Sequence, residues 1–253
     1  MSFLGKVVLI TGASSGIGRT TAYRLAKQGA LLSLSGRNVE NLQAVADEIG
    51  IDKAFIASGD LTKEADTIDI LNKTIDKFGK LDVLINNAGI LETGTIETSS
   101  LEQYDRVMNS NVRSVFHLTS LAVPHLIKTK GNIVNVSSVN GIRSFPGVLA
   151  YCISKTAVDQ LTRCVALELA GKNVRCNSVN PGVTITNLHK RAGMSADAYA
   201  KFLEHSKTTH AMGRPGEANE IADGIIFLAS EAASFITGVN LPIDGGRHAM
   251  CPR

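Results

Sequence analysis

The sequence predicts a doubly wound α/β domain built on a parallel sheet, and three observations point to it. Seven short apolar runs recur along the 253 residues, several of them nearly continuous in Val, Ile and Leu, as strands covered on both faces require. Longer amphipathic stretches separate them, and strand–helix alternation over a whole chain is the pattern of α/β proteins. A glycine-rich turn, "TGASSGIG", follows the first run directly.

In order, the expected strands are "KVVLITG" (6–12), "ALLSLSG" (30–36), "KAFIASGD" (53–60), "LDVLINNAG" (81–89), "GNIVNVSS" (131–138), "VRCNSVNPG" (174–182) and "VNLPIDGG" (239–246). Helical periodicity fills intervening stretches such as "GRTTAYRLAKQG", "EADTIDILNKTIDKFG" and "SKTAVDQLTRCVALELA". No linker, repeat or low-complexity segment interrupts them, so residues 1–253 read as a single domain. Residues 187–216 are longer than a tight crossover needs. They predict one or two short helices over the carboxyl edge of the sheet, where open α/β sheets bind ligands, and are a candidate substrate lid.

Composition narrows the function. Hydrophobic residues make up 44%, enough for a substantial core, and 26 basic against 23 acidic residues leave a net charge of only +3. That balance argues against nucleic acid or an anionic membrane as partner. The four cysteines form no close pair and no metal-ligand spacing, and read as reduced thiols of an intracellular protein. The N-terminus lacks the features of a signal peptide, and no run approaches the ~18 apolar residues of a membrane span. The expected location is cytoplasmic, and no metal site is expected.

The turn at 11–18 spaces Gly12, Gly16 and Gly18 as G-x-x-x-G-x-G. Glycine allows a tight turn and close backbone approach, and the N–H groups opening the following helix can hold a diphosphate. Ser14, Ser15 and Ile17 belong to the same expected cofactor site. The end of the second strand reads "SLSGRN". Gly36 stands where an NAD site often places an acid, and Arg37 follows, able to pair with a 2′-phosphate. NADP(H) is therefore favoured over NAD(H). Asp60, with Leu61 after it, either accepts from the adenine amino group or caps the next helix. In "NNAG", Asn87, Ala88 and Gly89 sit at the end of the fourth strand, the asparagines able to satisfy backbone groups between strand ends.

The stretch "SFPGVLAYCISKTAV" places Tyr151 and Lys155 one helical turn apart. A tyrosine ionises near ~10, and a nearby ammonium together with a cationic nicotinamide would lower that value and make the phenol a proton donor to a carbonyl. Ser138 is placed to hold the same oxygen, and Asn111 to fix a water linking Lys155 to solvent.

Taken together, "TGASSGIG", "NNAG", "NVSS", "YCISK", "NPG" and "LPIDGG" resemble the short-chain dehydrogenase/reductase family over nearly the whole chain. The resemblance implies a Rossmann-like sheet of seven parallel strands in three α/β/α layers, and a catalytic set falling here on Asn111, Ser138, Tyr151 and Lys155. It implies that Tyr151 is the acid/base and that Lys155 binds the nicotinamide ribose. It also implies nicotinamide contacts from Pro181, Gly182 and Val183 backbone and the Thr184 and Thr186 hydroxyls. Members are commonly homotetramers with the helix at 151–171 in an interface. Its Val158, Leu161, Val165 and Leu169 suit either a partner or the core.

Leu188, Met194 and Phe202, with Tyr199, Leu203 and Met212, suggest an apolar wall around Ser138 and Tyr151, and so an apolar ketone, aldehyde or secondary alcohol as substrate. Steroid, isoprenoid and xenobiotic carbonyls fit. The chain also looks like carbonyl reductase-like arthropod members of the family, which adds an ecdysteroid ketone. An NAD(H)-preferring alcohol dehydrogenase, a non-catalytic nucleotide-binding redox sensor, and an epimerase or dehydratase on the same fold are the competing readings.

Overall fold

The computed structural model describes residues 2–251. Strands β1 (Val7–Thr11), β2 (Leu31–Ser35), β3 (Ala54–Ile56), β4 (Val83–Asn86), β5 (Asn132–Val136), β6 (Arg175–Pro181) and β7 (Asn240–Ile243) form one sheet in the order 3-2-1-4-5-6-7. Every pairing is parallel. Each of the seven expected strands is present, shortened to its apolar centre. Pro242 is tolerated in β7 because that strand is an edge.

The connections are α1 (Gly16–Lys27), α2 (Val39–Ile49), α3 (Glu64–Phe78), α4 (Leu101–Met108), α5 (Ser114–Thr129), α6 (Leu149–Ala170), α7 (Leu188–Arg191), α8 (Ala196–Thr209) and α9 (Ala218–Ala229). Alternate side chains of a strand point to opposite faces, so the chain builds two cores. Val8 and Ile10 join Leu25 of α1, Leu42 of α2 and Ile225 of α9 on one face. Val7 and Leu9 join Ile70 of α3, Leu118 of α5 and Leu169 of α6 on the other. This is the three-layer, doubly wound architecture.

The chain runs from β1 toward β2 on one side and from β4 toward β5 on the other, so the sheet order reverses between β1 and β4. Connections leaving in opposite directions open a crevice at their carboxyl ends. α7 and α8 lie in the long excursion after β6. Its base is pinned where Gly216 N–H donates to the Val183 carbonyl at 2.8 Å and Ile185 N–H to the Gly216 carbonyl at 2.9 Å. Among the described residues, no helix is long and apolar enough to cross a membrane.

The interface question for α6 has a mixed answer. Val158 and Leu169 are buried within the chain, and Val165 packs on the core that holds Leu169. Ile153 and Leu167 are the exposed large apolar residues of this helix, and Leu161 lines a shallow groove with Met108 and Phe116 of α4 and α5.

Candidate active site

At the start of the crevice, Gly12 and Gly16 take φ of +65° and +55°, a region that favours glycine. Gly18 is required for a different reason: a Cβ there would lie 2.4 Å from the Gly12 carbonyl oxygen. Ser15 is the N-cap residue of α1, yet its hydroxyl caps no backbone N–H. It accepts instead from Arg191 of α7 at 2.6 Å. The first turn of α1 has no acidic residue, so its N–H groups and positive dipole end face the crevice uncompensated.

Gly36 and Ser14 come together beside the glycine turn; a Cβ on Gly36 would sit 3.7 Å from Ser14 Oγ. Arg37 is exposed next to them. Burial tends to raise the Asp60 carboxyl, but hydrogen bonds from Thr62 and the nearby Arg37 and Lys63 charges leave it below its ordinary value. Asp60 Oδ1 accepts from Thr62 N–H at 3.0 Å and from its hydroxyl at 2.8 Å. The helix cap is Lys63, so Asp60 closes a turn ahead of α3 rather than capping it. Leu61 packs on the core below.

The two asparagines of "NNAG" divide their work. Asn87 Nδ2 donates to the Thr11 carbonyl at 2.8 Å and the Gly12 carbonyl at 3.3 Å, tying β4 to the glycine turn. Asn86 instead joins side chains, donating to Asn135 Oδ1 and Thr119 Oγ1. A Cβ on Gly89 would lie 3.2 Å from Asn111 Oδ1 and 3.6 Å from Lys155 Nζ, so a larger residue there would press on the Asn111 amide. Asn111 sits in one π turn, Asn109–Arg113, between α4 and α5. Its amide is occupied by the chain: Nδ2 donates to the Ile90 carbonyl and to Ser154 Oγ, and Oδ1 accepts from Ile90 N–H. Both amide hydrogens are thus engaged by the chain, and a water at this side chain would donate to the second lone pair of Oδ1.

Tyr151, Lys155 and Asp159 follow one another at intervals of one turn on α6, and all three are buried. Lys155 Nζ donates to the Val136 carbonyl at 2.9 Å and lies 5.6 Å from the centre of the Tyr151 ring. Burial pushes Tyr151 up to about 12, with the nearby Ser138 hydroxyl partly opposing. Burial also brings Lys155 down to about 8, with Asp159 opposing. The lowered tyrosine expected from sequence is thus reversed among the protein's own groups. The ammonium is itself disfavoured by burial and directed at a carbonyl, and it does not offset desolvation of the phenolate.

Asp159 was not anticipated. Its carboxyl is pushed up by burial, against the nearby Ser137 hydroxyl, hydrogen bonds from Asn180 and Ser178, and the Lys155 charge. Asn180 Nδ2 bridges Asp159 Oδ2 and the Ser138 carbonyl, each at 2.8 Å, and so couples α6 to the end of β5. Cys152 is half-buried beside the tyrosine, its sulfur 3.3 Å from Asn140 Nδ2.

The end of β6 is more fully paired than expected. Gly182 N–H donates to the Ile243 carbonyl and the Val183 carbonyl accepts from Gly216. Val183 N–H donates to His210 Nε2 at 3.1 Å. The Val183 N–H is therefore engaged within the chain, while its carbonyl keeps a second lone pair. His210 is buried and pairs its Nδ1 with the Ser206 carbonyl, so the neutral tautomer with hydrogen on Nδ1 fits. His205 is exposed. His189 lines the crevice, its ring 4.5 Å from that of Phe202.

These parts enclose a continuous cavity of about 370 Å³, within the range of small-molecule sites. Gly12, Ser15, Gly16 and Ile17 line one part, with Asn87, Ala88 and Gly89 beside them. Ser138, Tyr151 and Lys155 line the next, and the chain from Pro181 to Thr186 closes over it. Leu188 and Phe202 line the lid side, but Met194 does not reach the cavity: it lies in the turn between α7 and α8. Ser14, Gly18, Arg37, Asp60 and Leu61 lie outside the enclosed part, around the glycine turn and the ends of β2 and β3, and Asn111 lies behind Gly89. Sequence reading missed Phe145, Arg191 and Arg247 in the lining. The one available signal was position, since Arg247 directly follows the Gly-Gly that ends the last strand. The bare α1 terminus and the glycines at each strand end fit a dinucleotide lying across the sheet's carboxyl edge.

The family model described as enoyl-(acyl carrier protein) reductase matches residues 12–248. Meso-2,3-butanediol dehydrogenase of Serratia marcescens is 38% identical over 98% of this chain and 97% of that protein. A 3-oxoacyl-(acyl-carrier-protein) reductase of Thermotoga maritima is 38% identical over 97% of this chain and 99% of that one. Among solved structures, a Caenorhabditis elegans short-chain dehydrogenase/reductase of unknown function, determined with cofactor, superposes with a TM-score of 0.93 at 37% identity, covering 98% of this chain and 97% of that chain. The 3-ketoacyl-(acyl-carrier-protein) reductase of Brucella melitensis complexed with NADH gives 0.91 at 36%, covering 98% of this chain and 100% of that chain.

Proposed function

The chain belongs to the short-chain dehydrogenase/reductase family, and from that premise we propose that this oxidoreductase uses NADP(H) to reduce ketones or aldehydes with an apolar body, or to oxidise the matching secondary alcohols. The observation that carries the reading is the buried Tyr151, which lines with Ser138 and Lys155 a cavity continuous with the glycine turn.

In this reading the uncapped start of α1, with Gly12, Ser14, Ser15, Gly16, Ile17 and Gly18, holds the diphosphate. Arg37 pairs with the 2′-phosphate; the absence of a carboxylate at Gly36 supports that assignment, while Asp60 nearby tempers it. Asp60 and Leu61 border the adenine, Asn87, Ala88 and Gly89 the central region, and the segment from Pro181 to Thr186 the nicotinamide. The nicotinamide, when bound, supplies or accepts the hydride. Ser138 holds the substrate oxygen, and Tyr151 gives it a proton in reduction or removes one in oxidation. Lys155, aimed by the Val136 carbonyl, contacts the ribose. Its charge, with that of an oxidised nicotinamide, favours phenolate and works against the burial that raises the tyrosine. Asn111 acts by position, holding Ile90 and Ser154 on either side of this group. Residues 187–216 act as the lid, with Leu188 and Phe202 toward the substrate.

NADPH and NADH oxidation against apolar ketones, aldehydes and quinones, with Tyr151→Phe in parallel, tests this reading. NADPH-dependent turnover that disappears in the variant is expected. Equal use of NADH overturns the cofactor preference alone. Full activity in Tyr151→Phe overturns the mechanism, and tight binding without turnover favours the redox-sensor reading.

We also propose a cytoplasmic homotetramer. Free Cys152, Cys164, Cys176 and Cys251 suit a reducing compartment. Exposed Phe116, Ile153 and Leu167 on α5 and α6 are surfaces a partner would cover. Light scattering is expected to give four times the chain mass of 26.8 kDa, and a monomer mass would refute the assembly.

A further inference from the structure

Arg247 stands out among the groups facing the cavity. It follows β7, and its guanidinium lies 4.5 Å from the centre of the Phe145 ring, at the loop that joins Ser138 to Tyr151. Arg143, on the same loop, donates to the carbonyls of His248 and Met250 and ties the turn carrying Arg247 to the loop. The guanidinium is thus fixed at the substrate end of the cavity, away from the glycine turn.

Its own hydrogen-bonding capacity is unmet. Arg247 Nε is buried with no hydrogen-bond partner among the described residues. Asp244 is the acid whose charge acts on it, but that carboxylate accepts from Gly246 N–H, His248 N–H and His248 Nδ1. Burial pulls the Arg247 pKa down, with Asp244 opposing, the direction expected of a cation removed from water without a closely paired anion. A guanidinium so placed is costly unless something supplies acceptors.

The rest of the lining has the same sign. Among the described residues, Lys155, Arg191 and Arg247 are its charged residues, and no Asp or Glu lines the cavity. Lys155 and Arg191 are engaged elsewhere, by the Val136 carbonyl and Ser15. Arg247 remains as the cation facing the substrate, next to apolar Phe145, Leu188 and Phe202.

We propose that Arg247 is a specificity residue that seats a carboxylate of the substrate, so that the preferred carbonyl substrate is an oxo acid whose apolar body packs along Phe145, Leu188 and Phe202. A guanidinium presents its N–H donors in a planar fork that matches a carboxylate, and the Phe145 ring orients that plane. The chemistry at the carbonyl is unchanged: its carbon receives a hydride from reduced nicotinamide and its oxygen the Tyr151 proton, while the carboxylate passes through unaltered. The substrate assignment rests on the oxidoreductase reading above; the carboxylate site does not depend on turnover.

The test uses cofactor-loaded protein and matched pairs: alpha-, beta- and gamma-oxo acids with an alkyl chain, each against its methyl ester. The wild-type protein is expected to prefer at least one acid over its ester by about tenfold or more in kcat/KM, the scale of a charge-assisted hydrogen bond. Arg247→Met should collapse that ratio toward one. Arg247→Lys, which keeps the charge and loses the fork, should retain part of it, and thermal melts of both variants report folding. An ester preference in the wild type, or an acid preference that survives Arg247→Met, overturns the proposal. Calorimetric binding of the same acids separates the two readings. Acid binding that Arg247→Met abolishes, without turnover of any pair, supports the carboxylate site and counts against the oxidoreductase assignment. Turnover of neutral ketones with no acid binding does the reverse.

Discussion

Asn111 grips the backbone of Ile90 at both ends, donating from Nδ2 to its carbonyl at 2.9 Å and accepting from its N–H at 2.8 Å. The second Nδ2 hydrogen reaches Ser154 Oγ, whose own hydroxyl donates to the Tyr151 carbonyl at 2.7 Å. One amide thus links the strand end at "NNAG" to the first turn of α6, and the π turn carrying Asn111 presents it at that spot.

Asn111→Leu should therefore cost both stability and activity. It removes the partners of the Ile90 N–H and carbonyl where water is scarce, at about 1–3 kcal/mol for each unsatisfied group. Urea denaturation should show a lower midpoint, and kcat should fall more than KM rises, because the proton donor's helix is displaced. An unchanged midpoint would mean that the amide ties are dispensable.

The raised Tyr151 pKa sets an alkaline limit. A free tyrosine ionises at 10.0, whereas the folded one ionises at about 12. Between those values the unfolded chain has lost a proton that the folded chain keeps, so stability falls as pH rises. Phenylalanine has no such proton. The stability of Tyr151→Phe relative to wild type should improve by about 2–3 kcal/mol across that window, at ~1.4 kcal/mol per pH unit. Urea midpoints of the two proteins at the ends of the window measure it, and parallel losses would show that the phenol is not held neutral.

Arg37 tests the cofactor reading independently of the chemistry. Arg37→Ser should lower kcat/KM for NADPH by about tenfold to a hundredfold, as expected for loss of one charge-assisted contact, and leave NADH almost unaffected. Steady-state kinetics with both cofactors decides it. Equal losses would move Arg37 from phosphate recognition to general folding.

Gly18→Ala should damage the nucleotide site without touching the catalytic end. The added Cβ would lie 2.4 Å from the Gly12 carbonyl oxygen and 2.5 Å from Asn87 Nδ2. Overpacking of this kind costs about 1–3 kcal/mol, and relief requires moving the turn that opens α1. A lower melting temperature together with weaker cofactor binding in a fluorescence titration is the expected result. Normal affinity would mean that the turn relaxes elsewhere.

Much of the architecture was legible in the linear chain. Apolar runs of strand length, the glycine turn after the first of them, and Tyr151 one turn before Lys155 are local features, set by backbone sterics and side-chain period. They placed all seven strands, the doubly wound class and the polar residues at the strands' carboxyl ends. Adjacency across the fold was not legible. Arg247 lies more than a hundred residues from Phe145 in sequence, and only the packing of the C-terminal turn against the β5–α6 loop brings its charge over the ring. Asp159, Asn180 and the Ser138 carbonyl come from three elements and meet through hydrogen bonds that no spacing rule encodes. The direction of the Tyr151 shift had the same dependence, because desolvation is set by everything packed around a group. Sequence by itself determined which local structures form and which chemistry-bearing residues end each strand. Tertiary structure alone decided which charges are buried, which remain without partners and which face the substrate, because burial and pairing are properties of surfaces that exist only once the chain has closed on itself.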